Sequence, residues 1–206
     1  MGVMEKFATV TGIAAPLLWA NVDTDMIIPV QRLVGSGRQG LGQYGFERFR
    51  DRPDFPLDKP PFQGAPILLA GENFGCGSSR EGAVWTLMGM GLRCVIAPSF
   101  GDIFHNNCFQ NGLLPVRLPI DIIQRMAAAM EEGPGNARVT VDLEKRVVVT
   151  PWGEAVPFAV DARKREALLS GLDEIAQTLQ RAAEITAWQA RDRAARGWAW
   201  DSLGRG

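Results

Sequence analysis

The residue types best suited to chemistry crowd into one stretch, Gly71-Glu72-Asn73-Phe74-Gly75-Cys76-Gly77-Ser78-Ser79-Arg80-Glu81. Gly75 and Gly77 let the backbone turn sharply and come close to a ligand. Ser78, Ser79 and Arg80 then stand where the apolar spacing of Ala83, Val84, Leu87 and Met88 starts a helix. Unpaired N–H groups and the positive end of the dipole at such a start attract anions and stabilise an ionising hydroxyl. The stretch therefore reads as an anion-binding or catalytic turn. Ser78 and Glu81 also satisfy the S-x-x-E capping pattern, which explains a helix start but not the second serine, Arg80 or the glycines.

A second glycine cluster, Gly35-Ser36-Gly37-Arg38-Gln39-Gly40, has the G-x-G-x-x-G spacing of a dinucleotide fingerprint. That fingerprint needs a strand running into it and a helix leaving it. Pro29 comes before it and Leu41-Gly42-Gln43-Tyr44-Gly45 after it, so the segment is expected to be a flexible loop over a site. Asp23 and Asp25, in the turn that follows Asn21, have two readings: they orient Arg80 or the loop, or they form a plain Asx-turn. Cys76 has no histidine near it in sequence and reads as a small packing residue, and the lone His105 reads as structural.

The elements around the turn follow from the apolar pattern. Residues 66–70 and 94–97 are short, wholly apolar runs of the kind that make strands buried on both faces. With the helix between them they form a strand, helix, strand unit, whose crevice is where ligands bind. A short helix is expected over 100–107, a third strand over 113–118, and an amphipathic helix over 121–132 ended by Gly133-Pro134. Residues 139–143 and 146–150 read as a hairpin, 161–170 as a helix ending at Gly171, and 172–196 as one or two further helices. Residues 46–61, with prolines at 53, 56, 60 and 61, are expected to wander over the surface. The fold class is α/β, a mixed sheet with flanking helices. One domain is expected over 1–206, with the basic, tryptophan-rich stretch 188–206 a mobile tail.

Composition narrows the classes further. The 206 residues are 46% apolar and carry 22 Lys+Arg against 23 Asp+Glu, which fits one globular domain and argues against a nucleic-acid surface. Cys76, Cys94 and Cys108 stand at spacings of 18 and 14, which match neither zinc nor iron–sulfur patterns, so no metal bound by this chain is expected. No apolar run is long enough for a membrane span. An odd number of cysteines fits a reducing compartment, and a cytoplasmic location is expected.

Several motifs in order carry a resemblance. Asn21-Val22-Asp23-Thr24-Asp25-x-Ile27-Ile28-Pro29, the 72–81 turn and Ile96-Ala97-Pro98-Ser99-Phe100-x-Asp102-Ile103-Phe104 together resemble the family of 3-isopropylmalate dehydratase small subunits. That family is similar to the swivelling domain of aconitase. Asn107-x-x-x-Asn111-Gly112-Leu113-Leu114-Pro115-Val116 and Gly171-Leu172-Asp173-x-Ile175-x-x-Thr178-Leu179 extend the likeness. It implies a swivelling β/β/α domain that docks on a large subunit. The large partner holds a [4Fe–4S] cluster by three cysteines, with one iron open as a Lewis acid. The implied substrate is a small dicarboxylate, and the reaction is dehydration of 2-isopropylmalate to 2-isopropylmaleate and rehydration to 3-isopropylmalate, in leucine biosynthesis.

The resemblance also implies roles. Ser78 is the base, acting as an alkoxide that the helix N-terminus, backbone N–H groups and Arg80 stabilise. Arg80 grips a substrate carboxylate and Ser79 adds a hydrogen bond. Arg38 either clamps a second carboxylate or is a solvated loop charge. Leu33 and Val34 lie in the loop that selects the substrate side chain, where an apolar pair suits an isopropyl group; generic loop packing is the alternative. One departure is Gly82, where the family usually has His. Glycine there costs about 1 kcal/mol of helix propensity and is expected to loosen the element that presents Ser78. The alternatives are the same chemistry on citraconate, dimethylmaleate or homoaconitate-like acids, and a non-catalytic module that holds an anion in the turn.

Overall fold

The chain starts with two short strands, β1 (Thr9–Gly12) and β2 (Ala14–Leu17), that enter different sheets. β2 continues into a parallel sheet with β3 (Ile67–Ala70), β4 (Cys94–Ala97) and β5 (Leu114–Arg117), in that order. β1 pairs antiparallel with β6 (Val139–Asp142), which forms a hairpin with β7 (Val147–Val149), and β8 (Ala155–Pro157) adds the far edge. The expected mixture of parallel and antiparallel strands is thus divided between two sheets. The structure, a computed structural model, describes residues 4–34, 38, 40–133 and 137–200.

Helices flank the sheets: α1 (Thr24–Ile27), α2 (Val30–Leu33), α3 (Glu81–Gly89), α4 (Asp102–Asn111), α5 (Ile120–Glu132), α6 (Ala162–Ser170), α7 (Glu174–Gln180) and α8 (Ala182–Ala195). β3 and β4 are buried at every residue, and their side chains alternate between two cores. Leu68, Ala70, Val95 and Ala97 join one core with Ala83, Val84 and Leu87 of α3 and Phe104 and Cys108 of α4. Ile67, Leu69, Cys94 and Ile96 join the other with Ile123, Met126 and Met130 of α5 and Val139, Val141 and Val148 of the antiparallel sheet. Burial on both faces is why the sequence reads as unbroken apolar runs rather than alternation.

Two expectations are adjusted. Residues 46–61 run largely over the surface, as expected, but they are pinned to it: Phe46, Phe55 and Leu57 are buried, and the rings of Phe46 and Phe55 lie 5.5 Å apart over the α3 core. Prolines exclude regular elements there, but aromatic burial still pins the chain. The apolar pattern also marks no element before Asn21, yet β1 and β2 lie there. β2 forms because it is an edge strand, where the missing N–H of Pro16 is tolerated while Ala14, Ala15 and Leu17 are buried. At the other end, α8 has no buried residue, and Trp200 Nε1 donates to Asp192 Oδ2 at 2.9 Å. Residues 201–206 of the expected tail lie outside the described residues. Among the described residues no helix is long and apolar enough to cross a membrane.

Candidate active site

The 72–78 turn is stitched to two neighbours by its backbone. On one side Asn21 N donates to Glu72 O at 2.8 Å, Gly75 N to Val22 O at 2.7 Å and Thr24 N to Cys76 O at 3.0 Å. On the other, Phe74 N donates to Ser99 O at 3.1 Å and Gly101 N to Phe74 O at 2.9 Å. Asn73 Nδ2 adds a bond to Asn21 Oδ1 at 2.8 Å. Gly75 sits at φ +74°, and a Cβ there would stand 2.2 Å from Cγ of Phe104, so both the conformation and the close approach require glycine. Gly77, at φ +88°, then turns the chain toward α3.

This stitching decides where α3 starts. Thr24 Oγ1, on a buried threonine, donates to the carbonyl of Ser78 at 3.0 Å and holds that residue out of the helix. The first helical residue is Glu81, and Arg80 occupies the cap position without a side-chain hydrogen bond. The Ser78 to Glu81 capping box is therefore not formed. Ser78 and Ser79 are exposed, and neither hydroxyl has a hydrogen-bond partner among the described residues. The first-turn N–H groups of α3 likewise have no side-chain acceptor.

Arg80 is the partly buried cation of the turn, its side chain 16% exposed. Its Nη1 forms an ion pair with Asp25 Oδ1 off the line of an aligned hydrogen bond, while Nε and Nη2 have no partner among the described residues. The guanidinium holds the Asp25 carboxyl below its ordinary value of 3.8. The two aspartates are thus divided. Asp25 faces Arg80, and Asp23 caps α1 by accepting from Met26 N at 2.7 Å, the Asx-type arrangement.

The loop residues meet α3 at two points. A Cβ on Gly82 would stand 2.4 Å from Cδ2 of Leu33, so the missing side chain is the seat that Leu33 occupies. Gly82 is buried by this contact and does not loosen the helix start as its propensity suggests. Val34, 79% exposed, does not share the seat, and the expected apolar pair is separated. Arg38 is docked rather than solvated at its tip: Nη2 donates to Asn111 Oδ1 at 2.7 Å, and the guanidinium lies 5.3 Å from the Trp85 ring centroid. The rest of the second glycine cluster, apart from Gly40, lies outside the described residues.

The thiols stand apart from this site's chemistry. Cys94 and Cys108 are buried in opposite cores, and burial raises both well above the ordinary thiol range. Burial also raises the half-buried Cys76. Among the described residues no group of three or more His, Cys, Asp or Glu could hold a metal ion. Among the described residues the three cysteines are dispersed, Cys94 and Cys108 in different cores and Cys76 in the turn, which does not fit a cradle for an iron–sulfur cluster. His105 lies against Phe100 and Phe109, with ring centroids 5.6 and 5.2 Å away, and burial followed by Arg117 and Lys164 lowers it to about 4.

Comparison with known proteins accounts for these motifs. The aconitase C-terminal domain model matches residues 4–121, and a second family model, LeuD_N, matches 124–162. The 3-isopropylmalate dehydratase small subunit of Rhodospirillum centenum is 50% identical over 95% of this chain and 99% of its own length. That of Dinoroseobacter shibae is 51% identical over 95% of this chain and all of its own. The chain belongs to the 3-isopropylmalate dehydratase small-subunit family. A solved structure of a 3-isopropylmalate dehydratase from Methanocaldococcus jannaschii, 26% identical, superposes with a TM-score of 0.65 over 87% of this chain and 98% of that one.

Sequence reasoning missed three parts of the site in this family member. Thr24, buried beneath Ser78, gave no signal beyond its place in the Asn21–Pro29 motif. The Gly82 seat was legible only as an absence. Asn111 stands in the 107–116 motif without an evident role, although its spacing of four from Asn107, whose carbonyl it bonds at 2.9 Å, is that of neighbours on one helix face.

Proposed function

We propose that this chain supplies the proton-transferring, carboxylate-gripping half of a 3-isopropylmalate dehydratase site and works only when docked on a large subunit. It is a hydro-lyase component of the leucine pathway, one swivel domain acting in the cytoplasm. The observation that carries the site assignment is the pair of serine hydroxyls, without a partner among the described residues, at an uncapped helix start next to a partly buried arginine held from behind by Asp25. The turn is open on the surface, which suits a site completed by another chain.

In this reading Ser78 Oγ, as the alkoxide, takes the proton from the substrate carbon. The C–H electron pair forms the C=C bond of 2-isopropylmaleate as the hydroxyl on the neighbouring carbon departs. A serine hydroxyl is far too weak an acid to do this unaided. The α3 N–H groups and Arg80 act on the developing anion, and closure by the partner would remove the water that screens them. Arg80 turns Nε and Nη2, the free side of its fork, to a substrate carboxylate, with Asp25 fixing the opposite side. Ser79 adds a hydrogen bond, Arg38 takes the second carboxylate, and Leu33 on Gly82 faces the isopropyl group. A [4Fe–4S] cluster, expected on the large subunit and not on this chain, would supply Lewis-acid assistance to the departing hydroxyl when bound.

The test is reconstitution with a cluster-bearing large subunit and measurement of 2-isopropylmaleate turnover. Ser78→Ala is expected to lower turnover by about 100- to 10,000-fold with complex formation unchanged. A rate equal to wild type refutes the base assignment. Faster turnover of citraconate or dimethylmaleate than of 2-isopropylmaleate would instead replace the substrate.

A further inference from the structure

Asn111, the last residue of α4, is 3% exposed and sits between α3 and the loop. Its amide makes four hydrogen bonds: Nδ2 donates to Asn107 O at 2.9 Å and to Glu81 Oε1 at 2.8 Å, while Oδ1 accepts from Trp85 Nε1 at 2.8 Å and Arg38 Nη2 at 2.7 Å. That uses both N–H groups and both lone pairs. The partners also fix which way the amide faces. A carbonyl and a carboxylate only accept, an indole and a guanidinium only donate, so a flipped amide would lose all four bonds. Oδ1 is therefore an acceptor of settled position, set by two helices before Arg38 arrives.

The chemistry of this anchor is specific. Arg38 is held by a neutral amide and the face of Trp85, and no carboxylate among the described residues pairs with it. The nearby charge of Glu81 is taken up by Asn111 Nδ2 on the other side of the amide. The guanidinium is thus fixed in place with its charge uncompensated, and with Nε and Nη1 carrying no described partner. An aspartate at 111 would hold the same guanidinium but neutralise it, and would face Glu81 with a like charge.

We propose that Asn111 is a positioning residue, which fixes Arg38 beside the first two turns of α3 and preserves its charge for a substrate carboxylate. The proposal rests on Arg38 as a carboxylate ligand, and two readouts separate the parts. Trypsin cleavage after Arg38 in the full-length chain, followed by mass spectrometry, reads only whether the guanidinium is anchored. Asn111→Leu is expected to accelerate that cleavage about tenfold relative to other sites, and Asn111→Asp to leave it slow. In the reconstituted enzyme both variants, and Arg38→Ala, are expected to raise KM by about 10- to 100-fold with a smaller change in kcat. Where Asn111→Leu does not fold, Asn111→Ala gives the same readout.

Unchanged cleavage on loss of the amide overturns the positioning role and leaves the reading of Arg38 intact. A wild-type KM in Arg38→Ala overturns that reading and the proposal with it. A wild-type KM in Asn111→Asp overturns the charge argument, and a residue that merely packed α4 would give that result.

Discussion

Around Gly75 the chain is held by its own backbone, through bonds to Val22, Thr24 and Ser99 and through a glycine pressed against Phe104. Around Arg38 it is held by side chains, Leu33 on Gly82 and the guanidinium on Asn111. Backbone stitching cannot be altered without undoing the β/α crossing itself, because each bond belongs to a neighbouring element. Side-chain seats can be retuned one residue at a time. In the proposed function the first region holds the reacting groups, whose geometry must stay fixed, and the second the part that discriminates between substrates.

The largest effect is expected from breaking the stitched side. Gly75→Ala places a Cβ on the Phe104 ring at a left-handed position and should cost about 3 kcal/mol or more, read as a lowered melting temperature. A variant as stable as wild type would remove the distinction between the two regions. Asp25→Asn should leave folding nearly unchanged, because Asp25 is half exposed, yet raise KM about tenfold as Arg80 loses its rear partner. Because that carboxyl is held below its ordinary value, the ion pair is complete at neutral pH. Its contribution fades only as pH falls below 3.8 and through the lowered value.

On the tethered side the effects should be smaller and fall on selectivity. Gly82→Ala displaces Leu33, the far end of a flexible side chain, while the helix gains about 1 kcal/mol of propensity. Little change in stability is expected, with a shift of about tenfold in the preference between 2-isopropylmalate and a 2-methyl analogue, measured as a ratio of kcat/KM values. The last effect concerns neither region and serves as a control. His105 is lowered to about 4, so the stability it contributes is complete above 6.5 and declines as pH falls toward 4. Urea unfolding across that range should show the slope, and His105→Gln should flatten it without altering KM.

Much of the architecture was legible because it follows from local pattern. Residues 67–70 and 94–97 announce doubly buried strands by unbroken apolar composition, and Asp161 and Gly171 mark the ends of α6 by cap chemistry. β1, β2 and the buried anchors Phe46, Phe55 and Leu57 were not legible. Their order comes from partners distant in sequence: β1 pairs with β6, and Phe55 packs on Phe46 and Trp19.

The site divides in the same way. Residue types and spacing determined the turn with its serines, arginine and glycines, since φ > 0 and anion affinity are properties of residues and short segments. Only the tertiary structure decided that α3 starts at Glu81, because the bond from Thr24 to Ser78 crosses between separate segments. Likewise, it alone decided that Asp25 faces Arg80 while Asp23 caps α1, that Gly82 seats Leu33, and that Asn111 holds Arg38. A capping pattern is a local preference worth about 1 kcal/mol, and several long-range hydrogen bonds acting on one turn outweigh it.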